Sequence, residues 1–200
     1  MGVISNGTTL IDNGALDAAV PTGSLILLST QTASASASIE FTSGIDSTYD
    51  SYVFKFIDIH PATDKQYFTF QGSTDGGSTY ATTVTTTDFA AYHSESGSAS
   101  GLGYESGADQ AQGTGLIKIS NTVGNGADEC CAGYLHLFNP SSTTYVKHFI
   151  NRSQTYQGDN YSFDEYKAGY FNTTSAINAI KFQFASGNID DGKILMFGIN

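Results

Sequence analysis

Hydrophobic and polar residues alternate along much of this chain with a period of two, as they do in strands with one buried and one wet face. The segment NAIKFQFASG states the pattern most plainly, with Ile180, Phe182 and Phe184 on one face and Lys181 and Gln183 on the other. SYVFKFIDI, Ser51 to Ile59, is rich in aromatic and β-branched residues, and Phe68 and Phe70 alternate with polar neighbours in Tyr67–Ser73. Further strands are predicted at Leu25–Ser29, read as buried, and at Ile39–Thr42, Gly115–Ser120, Gly133–Phe138, Tyr145–Arg152 and Tyr166–Phe171. GNIDDGK then turns the chain into a last strand, ILMFGIN. Residues 85–113 are Gly, Ser, Ala and acidic, and read as a long surface excursion. Only Leu10–Ala19 has helical character, and Gly14 weakens it. About nine or ten short strands joined by polar turns predict an all-β fold, an antiparallel β-sandwich with jelly roll as the expected topology. Residues 23–200 form that single domain, and the polar residues 1–22 form an extended N-terminal arm for docking or oligomerisation.

Composition narrows the field. Charged residues are 14% of the 200, aromatics 12%, and Trp is absent, a profile of a turn-rich β protein. The net charge of −11, with eight scattered basic residues, argues against nucleic acid as a partner. The N-terminus MGVISNGTTLIDNG lacks the basic start and apolar run of a signal peptide, and the longest apolar stretch, Leu25 to Leu28, cannot span a bilayer. Gly2 invites comparison with a myristoylation start, but that motif wants Ser or Thr where Asn6 stands. The sequons at Asn6, Asn151, Asn160 and Asn172 are expected by chance in so Ser/Thr-rich a chain. Cys130 and Cys131 are adjacent, so a disulfide between them is strained and free thiols are expected.

Candidate chemistry is sparse. Ser73 to Tyr80, STDGGSTY, fits the S-x-D-x-G-x-T "Asp box" known from sialidases, with Tyr80 where Trp or Phe is usual. One copy in a chain too short for six propeller blades reads as a structural hairpin turn. In it Ser73, Asp75, Gly76, Gly77, Thr79 and Tyr80 supply hydrogen bonds, positive φ angles and an aromatic base. Asp58, Asp64, Glu105, Asp109, Asp128, Glu129 and Glu165 are candidates for a glycosidase pair, yet nineteen acids offer such pairs by chance. His60, His93, His136 and His148 show no metal spacing, and GNGADECCAG lacks the Lys and helix of a phosphate loop. Asp190 and Asp191 make a weak candidate for Ca²⁺ in a turn. No catalytic residue, cofactor or metal is assigned. Exposed tyrosines such as Tyr92, Tyr104, Tyr156 and Tyr161 are candidate stacking platforms for a glycan, or else simple turn packing.

FQGSTDGGSTY, GYLHLFNPSS and above all INAIKFQFASGNIDDGKILMFGIN resemble virion structural proteins of tailed bacteriophages. In that family a strand of the type AIRFxFSSGNI precedes a C-terminal xxGxIxLYGI; here Ala179 to Ile189 and Gly192 to Ile199 correspond, with Met196-Phe197 where Leu-Tyr is commoner. The opening GVISNGTTLIDNGAL also resembles the start of marine phage structural proteins. The resemblance implies a non-enzymatic protein on the virion exterior, assembled in the host cytoplasm: a capsid-decoration, head-fibre or tail-fibre component. It implies contacts with major capsid or tail proteins and with further copies of the chain, trimers being common among such proteins, and no membrane partner. The alternative expectation is a tail-fibre or glycan-binding module that contacts the host surface.

Overall fold

The computed structural model describes residues 25–200, together with residues 3–5, 7–12 and 15–16 near the N-terminus. Those N-terminal residues form β1 (Val3–Ser5), β2 (Thr8–Asp12) and β3 (Ala15–Leu16), a small antiparallel sheet of their own. The helical expectation for Leu10–Ala19 is therefore wrong where it is described, since Leu10–Asp12 lie in β2 and Ala15–Leu16 in β3. The β-branched Thr8, Thr9 and Ile11 outweigh the weak helical signal there. The junction between arm and domain lies outside the described residues.

The domain consists of β4 (Ile26–Thr32), β5 (Ile39–Phe41), β6 (Ser51–Pro61), β7 (Gln66–Ser73), β8 (Val84–Ser94), β9 (Ser100–Tyr104), β10 (Ile117–Val123), β11 (Cys131–Phe138), β12 (Lys147–Gln157), β13 (Tyr161–Phe171), β14 (Ala179–Phe184) and β15 (Ile189–Ile199). It is all-β and antiparallel, as expected. The strands form two layers, β4-β15-β6-β11-β12-β13-β8-β9 and β10-β7-β14-β5. The layers join where β10 meets the end of β12 through the pair Val123 and Gln157. Eight strands nest by pairing outermost with outermost: β4 with β15, β5 with β14, β6 with β11, and β7 with β10. The hairpins β8–β9 and β12–β13 are insertions that extend the larger layer beyond β11.

Alternation explains the core. Ile180, Phe182 and Phe184 of β14 are buried as the period of two predicts, and Lys181 stays outside with its ammonium 4.4 Å from the Tyr80 ring centre. Phe54 and Phe56 of the larger layer meet Phe182 and Phe68 of the smaller, each pair with centroids 5.5 Å apart. Phe70 packs edge-on against Phe149 at 5.0 Å. The layers interlock closely enough that a Cβ on Gly72 would lie 2.6 Å from the Phe171 ring.

Two strand expectations need correction. Ile26–Ser29 of the predicted Leu25–Ser29 belongs to an edge strand rather than a buried one, with Leu27 53% exposed and Leu25 just before it 43%. Residues 85–113 contain two strands, β8 and β9, where an excursion was expected. Thr86 and Asp88 occupy the inward phase of β8, so no apolar alternation announces it.

Candidate functional site

The Asp75 turn is built much as its sequence suggests. Ser73 Oγ donates to Asp75 Oδ1 at 2.6 Å and accepts from the Gly77 amide at 3.0 Å. Asp75 accepts from the Thr79 amide at 2.9 Å and from Thr79 Oγ1 at 2.7 Å, and these bonds, led by that of Ser73, pull its carboxyl down to about 2. Gly76 and Gly77 adopt φ of 72° and 92°, where a side chain would be strained. Tyr80 Oη donates to Glu40 across the turn at 3.2 Å. The turn is not a hairpin, however. It links β7 to β8, and β7 pairs with β10 and β14 instead, so the motif shapes a crossover between layers.

Most of the candidate acids serve local structure. Asp64 accepts from the Asn125 amide and Glu129 from the Gly126 amide, while Asp109 accepts from Tyr104 Oη at 2.5 Å. Asp58, Asp128, Glu129, Asp190 and Asp191 line one open cleft with His60, whose Nδ1 lies 3.7 Å from Asp190. Among the described residues, no group of three or more His, Cys, Asp or Glu side chains is arranged to hold a metal. Cys130 and Cys131 are free thiols, and burial pushes Cys131 up. The four tyrosines also have local partners. Tyr92 stacks on Phe163 at 5.3 Å with Tyr161 at its edge, and Tyr156 Oη donates to Asn160 at 3.4 Å.

Glu165 alone among the candidate acids is fully buried, and the structure surrounds it with residues the sequence did not single out. On the inward faces of β8, β12 and β13 lie Thr86, Asp88, Asn151, Ser153, Thr155, Glu165 and Lys167, each at most 4% exposed. Register brings them together: Lys167 is directly opposite Asp88 on one side and Asn151 on the other, and Glu165 is opposite Ser153. Residues 105–116 strap over this seam. The Lys167 ammonium donates to Asp88 and, at 3.0 Å, to the Ala108 carbonyl of the strap. Lys118 holds the Gly107 carbonyl at 2.8 Å, and Gln110 exchanges bonds with Thr86. From β10, the Ile119 carbonyl accepts from Asn151 and Ser153.

Electrostatics make the seam unusual. Asp88 and Glu165 share the buried inward face of the paired strands β8 and β13, Glu165 lying two residues from the Lys167 that stands opposite Asp88. Burial, reinforced by the charge of Asp88, pushes the Glu165 carboxyl up to about 8. Burial likewise raises Asp88 against the pull of Lys167. Asp88 Oδ1, Asn151 Oδ1, Thr155 Oγ1 and Glu165 Oε2 are buried without a protein partner. The signal that would have exposed the seam is phase. Glu165 and Lys167 share the inward face with Phe171, whereas the neighbouring Tyr166 and Tyr170 do not. One amino group and two carboxyls thus share a single buried site.

No family model, curated protein or solved structure matches the chain.

Proposed function

We propose that the chain is a non-enzymatic structural subunit on the exterior of a tailed-phage virion, a capsid-decoration or head-fibre component. The observation that carries this reading is where the phage-like segment falls. Ala179–Ile199 builds β14 and β15, each an internal strand of its layer, so the resemblance sits in the centre of the fold rather than in a peripheral loop. We assign the nested pairing of eight strands to the jelly-roll topology, in which a long hairpin winds onto itself. Homo-oligomerisation would use the arm and a free strand edge. In β9 every residue is exposed and none is charged, so its outer backbone groups are open to strand addition by a neighbouring subunit. Quantitative mass spectrometry of purified virions, with the major capsid protein as standard, tests the reading. Hundreds of copies per particle support decoration of the head, and absence from the particle refutes a virion role.

A second reading, contact with a host glycan, is favoured by one feature. Tyr145 is 72% exposed in a cleft of about 550 Å³ that Phe138, Asn139, Ser142 and His148 also line. A free aromatic face beside neutral polar groups suits a sugar ring. A Tyr145→Ala chain that binds glycans as the natural chain does would remove this reading.

A further inference from the structure

We propose that Lys167 and Asp88 join in an intramolecular isopeptide bond, with Glu165 moving the protons. The inference rests on the geometry of the seam and stands apart from the virion reading. The three side chains share one buried face of adjacent strands, with the Lys167 nitrogen in contact with the Asp88 carboxyl and Glu165 two residues along the same strand from Lys167. Both Lys167 and Asp88 side chains have no solvent exposure.

An unreacted ion pair fits this site poorly. An ammonium carries three N–H donors, and the described residues offer Lys167 two acceptors, Asp88 and the Ala108 carbonyl. Asp88 Oδ1 has no donor of its own. Charge burial on this scale is weakly stabilising at best. An amide suits the same atoms better. Its single N–H has the Ala108 carbonyl, and the otherwise unpartnered Glu165 carboxyl on the same buried face would supply its carbonyl oxygen with a donor.

The chemistry balances without an oxidant, reductant or co-reactant. A proton passes from Lys167 Nζ to the Asp88 carboxyl, which leaves a neutral amine beside a neutral carboxylic acid. Burial favours that form over two charges. Nζ attacks Cγ, and the Nζ–Cγ bond forms. Glu165 donates to the carboxyl oxygen as charge develops on it, then receives a proton from the nitrogen. The Cγ–O bond breaks and that oxygen leaves as water with two of the three ammonium protons. The third stays on the amide, and Glu165 ends protonated as it began. Fixed neighbours on paired strands supply the proximity, and the dry interior protects the product from hydrolysis. The link would fasten β8, which carries the exposed edge strand β9, to β13 across 79 residues of chain.

Intact mass under denaturing conditions, followed by peptide mapping, tests the proposal. The natural chain is expected to weigh one water molecule less than its sequence, with the loss mapped to a branched peptide joining Asp88 and Lys167. Glu165→Gln, purified alike, is expected to show the full mass. An unmodified natural chain would overturn the proposal. So would a water loss confined to Asp75–Gly76, where an ordinary succinimide can form. A link that persists in Glu165→Gln would overturn the part given to Glu165. The natural chain's spectrum decides the bond itself, so a variant that fails to fold leaves the test intact.

Discussion

The interior of this domain holds two regions built on the same alternation but filled in opposite ways. Around Phe54, Phe68 and Phe182 the inward positions are aromatic; Phe54 and Phe56 meet rings of the other layer tilted and edge-on, and Phe68 stacks on Phe182 within its own layer. Around Asp88, Glu165 and Lys167 the inward positions are ionisable, and the strap of residues 105–116 covers them. The first region needs nothing but shape, because apolar burial is favourable wherever atoms pack. The second must satisfy every donor, acceptor and charge within the fold, or forfeit several kcal/mol. The comparison teaches that burial of polar groups here is specific. It gathers a nucleophile and an acid that a packed aromatic core would keep apart.

The largest effect is expected from breaking the seam on one side. Lys167→Met strands the two acids in a dry site and should cost about 3–5 kcal/mol, read by urea denaturation at neutral pH. Combining it with Asp88→Leu sharpens the contrast. A plain buried ion pair replaced by apolar residues is often neutral or stabilising. With a covalent tie in the natural chain, the double variant should remain less stable than the natural protein.

Phe182→Ala attacks the aromatic region and should cost about 3–5 kcal/mol by leaving a cavity. Its penalty should be nearly independent of pH, unlike that of the seam. Glu165 supplies the pH dependence. Its folded value is raised from 4.5 to about 8, so its contribution is fully present below the lower value and is lost as pH rises towards the higher. Glu165→Gln should flatten stability measured across that window. The smallest effect is expected at the Asp75 turn. Asp75 is lowered from 3.8 to about 2, so its contribution is present above the first value and is lost as pH falls to the second. Asp75→Ala should remove that acid-side loss in a pH melt series and leave the alkaline side unchanged.

The same contrast explains how much was legible in the sequence. Where the inward phase is aromatic, as in β7 and β14, alternation located the strand and its buried face, and in β6 the aromatic and β-branched content located the strand. Where the inward phase is polar, legibility failed. Thr86 and Asp88 hid β8 inside an apparent loop, and in β13 the inward positions are the ionisable Glu165 and Lys167 while Tyr166 and Tyr170 fall on the other phase. Glu165 was visible as one candidate acid among several. Nothing in local sequence places Asp88 beside it, because that contact depends on the pairing of β8 with β13. The Asp75 turn was legible because its bonds lie within a few residues, although its place between two layers was not.

The central claim is that the polar region is closed by a covalent bond while the aromatic region is held by packing alone. Nitrogen–carbon correlation NMR on uniformly ¹⁵N,¹³C-labelled protein tests it most directly. The account predicts an amide-type Nζ–H signal for Lys167 with one-bond coupling to the Asp88 Cγ. A Lys167 Nζ that resonates as an ammonium, uncoupled to any carboxyl carbon, would contradict it.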